Sequence, residues 1–293
     1  MSPHPYDLQL RAAVAARSLT GLVDTQRDGL MYSLASWQSK PPRAEHCLWD
    51  CGDGSGRHVD ALTLARRAVR SGSDAEQPNA AGVAIEAWMM RLLGADGLSW
   101  LPTEPWARPW NHEALLLGYS DGEPVAEVSW AQRGTLLGLT SRYQATGEER
   151  YSWAGRRLVE GLLRIAEQAP DGLHFPEGYY RPSGWHSRSA GLSAGLEEYN
   201  AAIPVAAVRF FCATGVEAAI RLADGLARFA LRHTTGYAPD GRLIGEPGSG
   251  LQDHFHTRSN FIPGVLGLGI AAGDRGLIEW AREAYERARS LSE

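Results

Sequence analysis

Seven carboxylates sit in company that could do chemistry. Asp50, Asp53, Glu104, Glu177, Glu197, Glu198 and Asp253 each stand near aromatic or histidine side chains. Two carboxyl groups facing each other across a glycosidic bond can cleave it. One donates a proton to the leaving oxygen, and the other activates water or attacks directly. Indole and phenol faces stack on the apolar C–H faces of sugars, while acids and imidazoles bond hydroxyls. Asp53 and Glu177 lead the catalytic candidates, with Asp50 and Glu198 beside them. Trp49, His58, Glu104, Trp106, Trp110, His112, Tyr179, Trp185, His256 and Arg258 form the substrate-binding set. A helix cap or a solvated face is the commoner fate of any one of these acids, and packing is as common for any one tryptophan. The reading rests on their clustering: six of the ten tryptophans fall in four long segments.

Other motifs carry less. His254-Phe255-His256 pairs two imidazoles without a third ligand at metal spacing, so no metal is expected. His256 and Arg258 at a helix start fit a hydroxyl or carboxylate contact better, Arg being able to grip a carboxylate with two parallel bonds. Cys47-x-x-x-Cys51 matches neither a zinc knuckle nor a redox pair. Gly52-Asp53-Gly54-Ser55-Gly56 is glycine-rich but lacks the Lys-Ser/Thr and the strand–helix context of a phosphate loop. It more simply turns the chain sharply into a helix at Arg57, presenting Asp50 and Asp53. No cofactor is expected.

The net charge of −5, with no dense basic block, gives no reason to expect nucleic acid. No stretch reads as a membrane span or an apolar leader. Three cysteines, an odd and low number, argue against a disulfide framework and fit a reducing cytoplasm.

The elements that must position the candidates are legible as a repeat. An Asp-Gly turn recurs at Asp28-Gly29, Asp96-Gly97, Asp171-Gly172 and Asp240-Gly241, with glycines 68, 75 and 69 residues apart. Between these lie second turns at Gly72, Gly147, Gly215 and Gly273, each ending one helical pattern and opening another. Leu158, Leu162 and Ile165, or Ile220, Ala223, Ala227 and Leu231, show the three-to-four spacing of a buried helix face. About nine helices follow, at roughly 6–20, 56–71, 80–93, 125–145, 148–168, 198–213, 216–234, 257–272 and 274–291, in one domain over 1–293. Turns within a hairpin are short. Connections between hairpins are long, at about 30–55, 98–124, 173–197 and 242–256, and an antiparallel array places them all on one rim. The expected architecture is all-α, an (α/α) toroid of helical hairpins.

A family resemblance attaches to particular residues. Trp49-Asp50-Cys51-Gly52-Asp53-Gly54-Ser55-Gly56-Arg57-His58-Val59-Asp60-Ala61 resembles an early stretch of some six-hairpin carbohydrate-active proteins. So do Gly264-x-x-Gly267-Leu268-Gly269 with Ala272-Gly273-Asp274, and Thr146-Gly147-Glu148-x-x-Tyr151. The resemblance is to the six-hairpin glycosidase superfamily, nearest to glycoside hydrolase family 154 of β-glucuronidase type. It implies a hydrolase acting on an oligosaccharide or glycoside with a uronic acid in view, and it transfers no catalytic position. Six hairpins would need twelve helices, so nine imply a short or truncated member. An open toroid exposes an apolar seam, a place for an oligomer contact. A polysaccharide lyase or sugar epimerase, using Tyr179, Tyr199, His256 and Arg258, fits the same scaffold. So does a helical-repeat binding protein without turnover.

Overall fold

A computed structural model describes residues 7–46, 52–69, 80–102, 123–186, 200–233 and 255–290. Among the described residues there are nine α-helices: α1 (Leu8–Gly21), α2 (Asp53–Ala68), α3 (Ala80–Arg91), α4 (Trp130–Thr146), α5 (Glu149–Ile165), α6 (Ile203–Thr214), α7 (Glu217–His233), α8 (Phe255–Ala272) and α9 (Arg275–Ser290). The described residues are mostly helical, as the periodicity predicts. No described helix is long and apolar enough to cross a membrane.

The three described glycine turns work as their sequence suggests. Gly147, Gly215 and Gly273 adopt φ of 69°, 71° and 69°, the left-handed conformation that closes a helix without a Cβ penalty. Gly72 lies outside the described residues. In α5, Tyr151, Ala154, Leu158, Leu162 and Ile165 form the buried face; in α7 it is Ala219, Leu222, Ala223, Leu226 and Ala230. Each of α3, α5, α7 and α9 folds back on the helix before it.

The first helices of the hairpins, α2, α4, α6 and α8, pack side by side in chain order. The register shows α2 and α4 to be parallel. A Cβ on Gly56 would lie 2.1 Å from the Gly134 carbonyl carbon, and one on Gly138 would lie 2.8 Å from the Gly56 oxygen. Farther along, Asp60 of α2, Ser141 of α4 and Arg209 of α6 join through a 2.8 Å Arg209–Asp60 ion pair and a 2.5 Å hydrogen bond from Arg209 to Ser141 Oγ. α1 packs across α2, outside the hairpin series.

Three of the Asp-Gly turns are small β-turn structures that the helical reading does not anticipate; Asp240-Gly241 lies outside the described residues. Strands β1 (Val23–Asp24) and β2 (Leu30–Met31) flank Gly29, and β6 (Glu167–Ala169) and β7 (Gly172–His174) flank Asp171. A single bridge, Leu93 to Ser99, closes the turn at Gly97. Two further hairpins are β3 (Leu34–Ser36) with β4 (Arg43–Glu45), and β8 (Tyr179–Arg181) with β9 (Gly184–His186). β8 also pairs with β5 (Ala126–Glu127). Strands of two or three residues leave no period-two pattern, so α4 begins at Trp130 rather than near 125, and α5 ends at Ile165 rather than near 168.

Each of these three Asp-Gly turns clasps the second helix of the following hairpin. A Cβ on Gly29 would lie 2.2 Å from the Ala84 carbonyl carbon of α3, one on Gly97 2.2 Å from the Arg157 oxygen of α5, and one on Gly172 2.3 Å from the Gly225 oxygen of α7. Two helical turns beyond each contact comes an arginine that pairs with the turn's aspartate: Arg91 with Asp28 at 3.4 Å, Arg164 with Asp96 at 3.8 Å and Arg232 with Asp171 at 2.6 Å. Arg91 and Arg164 also donate to the carbonyls of Asp28 and Asp96, at 3.1 and 3.0 Å.

At the far end of the array, Ile262, Pro263 and Leu266 of α8 face Ile278 and Tyr285 of α9 across an apolar groove of about 740 Å³, rimmed by Arg282 and Arg289.

The two kinds of glycine predict different sensitivities. Gly147→Ala is expected to cost about 1 kcal/mol, the left-handed penalty alone, because its Cβ meets nothing within 4 Å. Gly97→Ala adds a collision with the α5 backbone and is expected to cost about 3 kcal/mol. Urea denaturation of the two variants measures the difference, and equal losses would remove the clasp from the account.

Candidate functional site

The rim is built where the first helices begin. Val128 N donates to Gly178 O at 3.0 Å, and Glu127 is the cross-strand partner of Tyr179, so the β8–β9 hairpin lies against the entry to α4. Asn200, just before α6, brackets Phe175 by accepting from its N–H at 2.7 Å and donating to its carbonyl at 3.2 Å. The starts of α2, α4 and α6 are thereby gathered at one end.

Asp53 is the first residue of α2 and is buried at that rim. Its carboxylate meets Arg57 one turn on at 2.5 Å and Arg133 of α4 at 3.4 Å. Arg133 is 3% exposed, and its guanidinium lies 4.1 Å from the centre of the Trp130 ring. Burial pulls Arg133 below the usual range, while the Asp53 charge opposes that pull. Removing Asp53 leaves the buried Arg133 charge without its ion-pair partner, which costs several kcal/mol, whereas Asp53 without Arg133 keeps Arg57.

Glu127 is the group that sequence reading missed. It is 7% exposed and holds the α4 N-terminus, accepting from Ser129 N at 2.9 Å and from Ala131 N at 2.5 Å, with Ser129 Oγ also donating to it. Burial pushes its carboxyl up to about 7, against the downward pull of hydrogen bonds from Ala131, Ser129 and Trp130. Gln132 fastens the same point. It donates to the carbonyls of Ser99 and Glu127 at 2.7 and 2.8 Å and accepts from Ser99 N at 2.8 Å. The helical pattern expected over 125–145 hides Glu127 inside a helix. The available signal was an acid two residues before a serine at a helix start, the composition of a cap.

Other candidates separate by place. Glu177 is half-buried in the bend before β8, one residue before Gly178, whose carbonyl accepts from Val128 N. Tyr179 is buried in β8. Trp185 is half-buried and packs edge-on against Tyr180 at 5.1 Å and tilted against Phe175 at 5.9 Å, so its ring closes a small aromatic cluster rather than standing free. His58 departs from its assigned role. It is 4% exposed beneath α1, and its Nε2–H donates to the Leu19 carbonyl at 2.7 Å. Burial lowers its pKa, keeping the ring neutral and committed to the α1–α2 contact. His256 and Arg258 fall in the first turn of α8, but their side chains lie outside the described residues, as do Trp49, Asp50, Glu104, Trp106, Trp110, His112 and Glu198. Among the described residues no group of three or more His, Cys, Asp or Glu could hold a metal ion.

Fold and rim together define a helical-hairpin protein with a buried carboxylate–arginine network at the end where its first helices start. The chain matches no family model. No curated protein matches it either.

The Glu127 environment has a signed consequence. The unfolded chain ionises this acid near 4.5 and the folded one near 7, so between those values the native state holds the extra proton and stability falls as pH rises. A loss of about 3 kcal/mol at most is expected from pH 4.5 to 7. Glu127→Gln, which cannot ionise, is expected to flatten that slope. Denaturation midpoints of both proteins across this window provide the check, and parallel curves would refute the assignment.

Proposed function

We infer that the chain is a carbohydrate-active hydrolase built on an (α/α) toroid of hairpins, with its substrate cleft at the rim. The observation that carries this reading is the contrast between two acids on paired segments, Glu127, pushed to about 7 by burial, and Glu177, half-buried two residues before Glu127's cross-strand partner Tyr179. Pairs of carboxyls with different environments divide acid and base work near neutral pH. Glu127, protonated, is the proton donor to the leaving oxygen, and Glu177 is the group that activates water or attacks. Asp53, tied to two arginines, takes a positioning role by holding Arg133. Helix starts at the rim favour an anionic group such as a uronate. The repeated clasp and the side-by-side first helices support the toroid.

A second reading has its own observation. Asp53 and Glu127 both satisfy their oxygens inside the protein, as caps and ion pairs do in a scaffold that binds without turnover.

A glycan screen decides between them, using aryl glycosides and uronate-containing oligosaccharides. Reducing-sugar release is expected from the native protein, and a loss of about a hundredfold or more from Glu127→Gln and from Glu177→Gln. An unsaturated product absorbing in the ultraviolet would replace hydrolysis with elimination. A folded protein that binds sugar and releases nothing would leave the scaffold standing.

A further inference from the structure

The end of the array opposite the rim holds a second concentration of charge. A cavity of about 250 Å³ opens between α2, α3 and α4, lined by Leu62, Ile85, Arg66, Arg67, Glu86 and Arg142. Arg66 lies thirteen residues along α2 from Asp53, about 20 Å at 1.5 Å per residue, so this is a different place from the proposed cleft.

The charges in the cavity do not cancel. Glu86 is already shared. It pairs with Arg142 at 2.7 Å and with Arg150 at 3.4 Å, and it accepts a hydrogen bond from the Tyr151 hydroxyl. Arg142 is therefore compensated. Arg66 is not: among the described residues it forms no ion pair, and its buried Nε has no hydrogen-bond partner. Exposed Arg67 adds a second positive charge at the mouth. Burial first, and then the charge of Arg142, pull the Arg66 guanidinium below its usual range. A guanidinium held near a like charge, with a buried donor unmet, is costly to keep unless something completes it. The planar fork of arginine fits the oxygens of a phosphoryl group, and two uncompensated positive charges favour a dianion over a monoanion.

We propose that the cavity between α2, α3 and α4 binds a phosphate-type dianion, with Arg66 as its main grip and Arg67 at its entrance. The apolar walls of Leu62 and Ile85 leave room for a small organic substituent on the phosphoryl group.

Calorimetric titration of the full chain with inorganic phosphate at constant ionic strength tests this, with acetate as the monoanion control. Millimolar binding is expected for phosphate and at least tenfold weaker binding for acetate. Arg66→Met is expected to weaken phosphate binding at least tenfold. In phosphate-free buffer the same variant is expected to match or exceed the native protein in denaturation midpoint, because it removes an uncompensated charge. Arg66→Lys keeps charge and length but loses the fork, and is expected to bind several-fold more weakly. Arg156→Met, at the exposed pair with Glu160, serves as a control that leaves binding unchanged. Absence of phosphate binding, acetate binding as tight as phosphate, or unchanged affinity in the Arg66 variants would overturn the proposal. Failure of this test leaves the rim hydrolase untouched, since neither its substrates nor its variants are used.

Discussion

Backbone contact between α2 and α4 is the constraint on which the rim depends. Gly52 and Gly56 on one helix face Ala131, Gly134 and Gly138 on the other, and any added methyl would sit within about 3 Å of the opposing chain. Side chains normally hold two helices 8–10 Å apart. Here their absence lets the Asp53 carboxylate reach Arg133 across the gap, and the pair is possible only because the backbones touch. Glu127 then finishes the structure by taking the first free N–H groups of α4, which a helix start leaves open. Packing, capping and charge are thus settled together within a few residues of the two helix starts.

The protein carries its acids in graded states. Asp53 is paired with two arginines, Glu127 is buried among N–H donors, and Glu177 is half-buried on a bend. Burial penalises the charged form, while N–H donors and cations restore it, so one rim offers acids in three environments from two residue types. This gradation comes from secondary structure rather than from local sequence. Asp53 is a first-turn residue, Glu127 lies just outside a helix, and Glu177 belongs to no element.

The helices were legible because glycine turns and three-to-four spacing are local signals, and Gly147, Gly215 and Gly273 end helices where expected. The rim candidates were legible only as a crowd. His58 shows why: a histidine one turn into a helix reads alike whether it faces a ligand or the carbonyl of Leu19, which is 39 residues away in sequence. Glu127 was invisible for the opposite reason. A two-residue strand carries no periodicity, and the α4 pattern ran over it. Trp185 was recognised as an aromatic at the rim, but its partners Tyr180 and Phe175 come from hairpin geometry that composition does not encode.

The clasp made by the three described Asp-Gly turns bears on how such a chain can change length. Each clasp reaches forward by one hairpin and asks only for an open patch of helix backbone with an arginine seven residues later. A duplicated hairpin would bring both halves of that lock with it, so copies can be added or lost in register with little repair elsewhere. The same count along α9, seventeen residues from Gly273, arrives at Ser290, where α5 and α7 carry Arg164 and Arg232. The α8–α9 hairpin therefore departs from the interchangeable pattern at the arginine position.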